Sequence, residues 1–207
     1  MSSREELLRR LREDTRVLND SLVRRAFEHV DRKDFVQEGY EVEAYEDYPL
    51  SIGYDQTISQ PTTVAFMLEL LGAAPGNKVL DVGSGSGWTT ALLADIVGPG
   101  GTVLGLERIP ELVTFGQQNL AKYRYGNARI EAATPSIGVP GEVFDRILVS
   151  AAAEDAIPEP LIMQLASGGT MIIPVNDSII EVTRRADGTV ARAAHEGFAF
   201  VPLVGDN

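Results

Sequence analysis

The stretch Lys78-Val79-Leu80-Asp81-Val82-Gly83-Ser84-Gly85-Ser86-Gly87-Trp88 constrains this chain more than any other. An apolar run ends in an acid, meets three alternating glycines, and passes into the helical pattern of residues 88–97. The order is strand, tight turn, helix. Glycine tolerates positive φ and carries no Cβ, so backbone N–H groups can approach a ligand closely. A turn at the carboxyl end of a strand and at a helix N-terminus is where open α/β folds bind ligands.

The spacing narrows the ligand. Asp81 precedes Gly83, Gly85 and Gly87, which is not the G-x-G-x-x-G of a dinucleotide pyrophosphate site. An acid ahead of the first glycine repels phosphate and suits a positive centre. A second acid, Glu107, ends the next apolar run, 102–106, where a carboxylate can accept both hydroxyls of a ribose. Together they describe a cationic nucleoside, and S-adenosyl-L-methionine fits. The alternative is a tight turn that binds nothing.

Composition removes other chemistries. There is no cysteine and there are only two histidines, so neither a thiol nucleophile nor a His-rich metal site is available, and no metal is expected. The net charge of −12 argues against a nucleic-acid backbone as partner. No apolar run approaches the roughly 20 residues that span a membrane, and the first residues lack a signal peptide's apolar segment. The expectation is a cytoplasmic monomer.

Along the chain, residues 3–30 read as two helices, with Asn19-Asp20-Ser21 offering a cap to the second. Residues 31–61 show no period, yet are too apolar and aromatic for disorder, which points to a functional segment. Pro61 can open a helix over 62–71, whose N-terminus, with Ser59 and Gln60, is a natural place for an anion. Strands are expected over 79–82, 103–107, 129–131, 146–150 and 170–174, and helices over 88–97, 109–123 and 158–165. Asp187-Gly188 signals a hairpin between 179–185 and 190–193, and 198–203 reads as a last strand. The alternation gives an α/β class: a doubly wound, mainly parallel Rossmann-like sheet with N-terminal helices and a C-terminal antiparallel hairpin. Residues 1–207 are read as one domain, 1–61 forming the helices and a substrate-side segment and 62–207 the cofactor-binding core.

Several stretches together resemble one family. Residues 43–61, Glu-Ala-Tyr-Glu-Asp-Tyr-Pro-Leu-Ser-Ile-Gly-Tyr-Asp-Gln-Thr-Ile-Ser-Gln-Pro, are similar to the pre-motif of the protein-L-isoaspartate O-methyltransferases. Residues 79–87 resemble their first cofactor motif, and Leu106-Glu107-Arg108-Ile109-Pro110-Glu111-Leu112 their ribose motif. Residues 144–153, 168–174 and Phe200-Val201-Pro202-Leu203 fit later segments, so the resemblance covers roughly 5–205. It implies methyl transfer from S-adenosyl-L-methionine to the α-carboxylate of isoaspartyl residues, a protein repair reaction.

Residue by residue, the resemblance implies that Ser59 hydrogen-bonds the substrate carboxylate, helped by backbone N–H groups near Val201 and Leu203. Alone, Ser59 would read as a helix cap. Gln56, Thr57 and Ile58 are implied to pack near cofactor and substrate. Asp81, Gly83, Ser84 and Gly85 are implied at the methionyl part, Glu107 at the ribose and Arg108 beside the adenine. Trp88 is read as packing its helix on the sheet.

The chain departs from the family at three places. Ala133-Thr134-Pro135 stands where Gly-Asp-Gly is usual, and that acid meets the adenine amino group. Replacing a charge-assisted bond by a threonine hydroxyl costs on the order of 1–2 kcal/mol, roughly tenfold in affinity. Asp55 stands where glycine is common, and Thr62 where some members have histidine. Two readings follow: a carboxyl methyltransferase, for isoaspartyl repair or for a narrower aspartyl peptide, and a non-catalytic relative with weakened cofactor binding. A nicotinamide oxidoreductase comes third, because of the glycine spacing.

Overall fold

In the computed structural model, the described residues are 2–203. The ends of the expected 1–207 domain, Met1 and 204–207, lie outside them. Ser3 opens α1 (Arg4–Glu13) through a reciprocal cap with Glu6. Asp20, within the expected cap, accepts the Leu22 and Val23 amides to start α2 (Ser21–His29). Further along come α3 (Pro61–Leu71), α4 (Trp88–Val97), α5 (Pro110–Ala121) and α6 (Glu159–Met163).

Seven strands form the main sheet: β3 (Lys78–Val82), β4 (Thr102–Glu107), β5 (Ala128–Ala132), β6 (Phe144–Val149), β7 (Leu165–Val175), β8 (Ser178–Arg184) and β9 (Val190–Glu196). Their order is β5-β4-β3-β6-β7-β8-β9. The first five run parallel and the last two pair antiparallel, as the alternation and the Asp187-Gly188 turn require. The chain reverses direction of travel between β3 and β6, so the carboxyl ends of those strands open onto a crevice.

Side chains alternate across the sheet with period two. Val79, Val103, Leu148 and Ile172 join one apolar cluster with α1–α5. Leu80, Leu104, Ile147 and Met171 join the other, which short α6 and the loop residues Ile137, Val139 and Ile157 cover. The second face has little helix because residues 133–143 link β5 to β6 as a loop.

Four expectations need correction. Residues 31–61 are not without regular structure. They contain a 3-10 turn (Arg32–Phe35) and a two-stranded hairpin, β1 (Leu50–Gly53) and β2 (Gln56–Ile58). Its two corner residues, Tyr54 and Asp55, both have positive φ, +55° and +57°. That is the twist of a tight hairpin, reached without the usual Asn-Gly or Asp-Gly signal. The helix expected over 158–165 ends at Met163, and Leu165 already begins β7. Residues 198–203 form no strand but a single bridge, Ala152 with Pro202. Pro202 lacks an amide hydrogen and cannot continue a ladder. The N-terminus of α3 is also not open to an outside anion, since the Asp47 carboxylate accepts the Thr62 amide (2.9 Å) and hydroxyl (2.6 Å) there.

Candidate active site

The three glycines of the turn all have positive φ, +79°, +50° and +85°. The tightest is Gly87, where a Cβ would stand 2.9 Å from the Gly116 carbonyl oxygen. Gly116, inside α5, answers it, because a Cβ there would meet the Gly85 oxygen at 2.9 Å. The turn and α5 therefore touch backbone to backbone. The amides of Gly83 and Ser84 both donate to Leu106 O, which pins the turn to the end of β4.

Glu107 closes this construction. It is 6% exposed. Its Oε2 accepts the Gly85 amide (3.0 Å) and its Oε1 the Ile109 amide (2.9 Å). A carboxylate offers about four acceptor positions. One on each oxygen remains, which suits a vicinal diol.

A cavity of about 350 Å³ opens over the turn. Such a volume lies in the usual range for small-molecule sites. Gly83, Ser84, Gly85 and Glu107 form its floor, with Arg108 and Thr134 at one side. Gln56, Thr57, Ile58, Ser59, Val201 and Leu203 line it as well. All the expected site residues except Asp81 line this one space.

Asp81 lies beneath the turn, fully buried and off the cavity lining. Its Oδ2 accepts the Thr89 (2.7 Å) and Thr90 (2.6 Å) hydroxyls, and its Oδ1 has no partner. Burial pushes its carboxyl up to about 6, against the pull of the two hydroxyls, and Glu107 adds to the rise. The strand directs the Asp81 side chain into the helix-covered face, so the expected contact with a methionyl group has no counterpart in the cavity lining.

Ser59 does not cap α3. The cap residue is Gln60 and no side chain caps the helix at that position. The expected help from the Leu203 amide is also corrected, since it donates to Ala152 O at 2.7 Å. Pro202 has no N–H, so within 201–203 only the Val201 amide remains for a carboxylate.

Trp88, read as packing α4 on the sheet, meets α2. It is 2% exposed and packs edge-to-face on Phe27 (5.5 Å), but it also lines the cavity with its Nε1 unpartnered. Ser84 Oγ is likewise buried without a partner. Orphaned buried donors at a cavity wall call for a ligand. With the glycine turn and Glu107, they fit S-adenosyl-L-methionine.

Sequence reasoning missed Arg32. It is 2% exposed and donates to the carbonyls of Ala44, Glu46, Tyr48, Ile58 and Ser59, so one guanidinium holds the substrate-side segment in shape. It also stands 5.4 Å from the Trp88 ring centroid. Burial lowers its pKa to about 10, so it stays charged at neutral pH.

Thr134 Oγ1 donates to Ser136 O at 3.2 Å, which leaves its oxygen free to accept. The loop behind it is anchored by buried Gln164, which accepts the Val139 amide (2.7 Å) and donates to Ile137 O (3.1 Å). Thr134→Asp is expected to tighten S-adenosyl-L-methionine binding roughly tenfold by calorimetry, through a charge-assisted bond to the adenine amino group. An unchanged affinity would place residue 134 out of reach of the adenine.

Comparison with known proteins gives the same answer. The family model for Protein-L-isoaspartate(D-aspartate) O-methyltransferase (PCMT) matches residues 2–207. A protein-L-isoaspartate O-methyltransferase of Methanopyrus kandleri is 44% identical over 99% of this chain and 92% of its own length. One of Pyrococcus horikoshii is 43% identical over 92% of this chain and 88% of its own. Among solved structures, a Plasmodium falciparum chain described as a protein-L-isoaspartate O-methyltransferase, in complex with S-adenosyl-L-homocysteine, superposes with a TM-score of 0.87. It is 27% identical and each chain is covered completely. With its family model matched over residues 2–207 and relatives at 43–44% identity along most of its length, the chain belongs to the protein-L-isoaspartate O-methyltransferase family.

Proposed function

We propose that this protein transfers a methyl group from S-adenosyl-L-methionine to the α-carboxylate of L-isoaspartyl residues in damaged proteins and peptides. The observation that carries this reading is that Ser59 lines the same cavity as the glycine turn and Glu107. The cofactor, when bound, supplies a methyl group activated by its sulfonium. The turn and Glu107 would hold it, and the unpartnered Ser84 and Trp88 would add polar contacts.

The chain's own work is positioning. A carboxylate is already ionised at neutral pH, so no general base is required. The Ser59 hydroxyl donates to the acceptor carboxylate and holds one oxygen toward the methyl group, while Ile52, Ile58, Val64 and Leu106 line the space and exclude water. Residues 1–207 act in this reading as one domain, with 1–61 forming the substrate side. It takes the protein as a cytoplasmic monomer acting on peptides; no helix among the described residues is long and apolar enough to cross a membrane.

The test supplies labelled methyl donor with an isoaspartyl peptide and its normal aspartyl counterpart. Label on the isoaspartyl peptide alone is expected. Label on the aspartyl peptide would favour the narrower substrate, and cofactor binding without transfer to either would end the repair reading. Ser59→Ala is expected to slow transfer by about 100-fold, the scale of one positioned donor, with little change in cofactor affinity. Equal losses in both would remove Ser59 from this role.

A further inference from the structure

Asp55 is the acid that neither the fold nor the methyl transfer explains. It holds the left-handed backbone, φ +57°, that glycine adopts most easily. It is exposed and lines the cavity. Three other acids of the same segment are engaged: Glu43 accepts the Tyr48 hydroxyl, Glu46 accepts from Ser2, and Asp47 accepts from Thr62. None of the ion pairs among the described residues involves Asp55. From residue 34 to residue 77 the chain has no lysine, arginine or histidine; the cations that reach this region from outside it are Arg32, spent on the Ile58 and Ser59 carbonyls, and Arg108 on the same cavity, and neither pairs with Asp55.

Its distance from the reacting group follows from the strand between them. β2 (Gln56–Ile58) is extended, so Asp55 and Ser59 stand four residues apart along it, about 13 Å at roughly 3.3 Å per residue. A peptide whose isoaspartyl carboxylate lies at Ser59 therefore presents a neighbouring residue, not the reacting carboxylate, to Asp55. A lysine or arginine side chain one to three positions away spans the remaining distance.

We propose that Asp55 is a specificity-determining residue, which selects isoaspartyl sites flanked within three positions by a basic residue and disfavours sites flanked by acids. The proposal rests on the isoaspartyl methyl-transfer reading. An exposed carboxylate acts through water and is screened by salt, so lysine-flanked and glutamate-flanked peptides should differ by about five- to tenfold in kcat/KM at low ionic strength.

The experiment measures kcat/KM for three isoaspartyl hexapeptides that differ only in a lysine, alanine or glutamate beside the isoaspartyl residue. It uses the full chain and its Asp55→Asn variant, since asparagine keeps the shape and tolerates the same left-handed backbone. The lysine-to-glutamate ratio is read within each protein, so any overall change in rate cancels. The expected result is a ratio of about five to ten in the parent, falling toward one in Asp55→Asn and shrinking with added salt in the parent. A ratio near one in the parent, or the same ratio in both proteins, would overturn the proposal while leaving the isoaspartyl reading intact. If no peptide is methylated, the underlying reading fails and the proposal with it.

Discussion

Arg32→Leu is expected to lower the unfolding free energy by about 3–5 kcal/mol, the scale of breaking a buried charged network. Leucine fills part of the space but leaves five carbonyls without their donor, from Ala44 to Ser59. Arg32→Lys should recover only part of the loss, because an ammonium has three donors and no planar fork to span so many acceptors. Urea unfolding reads the effect as a lower midpoint at unchanged slope. Transfer should fall further than stability alone requires, since the Ile58 and Ser59 carbonyls are among those released. A loss below about 1 kcal/mol, the size of an ordinary substitution, would mean that water or a shifted backbone replaces the guanidinium.

Asp81→Asn is expected to make the ligand-free protein more stable and the cofactor complex weaker. The carboxyl of Asp81 is raised from 3.8 to about 6 by burial. A raised carboxyl adds stability below its unfolded value and loses it as pH rises through the folded one. At pH 7 the wild-type protein therefore carries a buried charge at a cost of up to about 3 kcal/mol, which a neutral amide avoids. Asparagine can accept the same Thr89 and Thr90 hydroxyls. The stability gap should be full well above pH 6, narrow as pH falls from 6 to 4, and close below about 3.8, where Asp81 becomes protonated in both states. Binding of S-adenosyl-L-methionine should weaken by about tenfold or more, since the charge attracts the cationic end from behind the turn. Thermal unfolding across that pH range and calorimetry at pH 7 check both halves. Equal stability at pH 7 would show that the buried charge is compensated by partners other than the two threonines.

The site was legible where it is local. Alternating glycines after an acid demand positive φ and a close backbone approach, and the structure has both. Glu107 was legible because the end of one parallel strand lies beside the end of the next. Arg32 was not legible. In Asp31-Arg32-Lys33-Asp34 it reads as part of a solvated charge run, and its burial comes from carbonyls 12 to 27 residues away. Nothing in the sequence marks Gly116, and only the crossing of α5 over the turn shows why a side chain cannot stand there. The hairpin at Tyr54 and Asp55 was missed because its corner lacks the residues that usually mark a positive φ.

The apolar periods, the glycine spacing and the strand-end acids determine the parallel sheet, the crevice and the kind of ligand, because each is set within one strand, turn and helix. Which polar groups are satisfied was decided by the tertiary structure alone. Asp47 takes the end of α3, the Leu203 amide goes to Ala152, Asp81 faces the helices, and Ser59 is left open to the cavity. A hydrogen-bond partner is chosen by distance in space, and sequence spacing does not encode that distance once the chain has crossed the sheet.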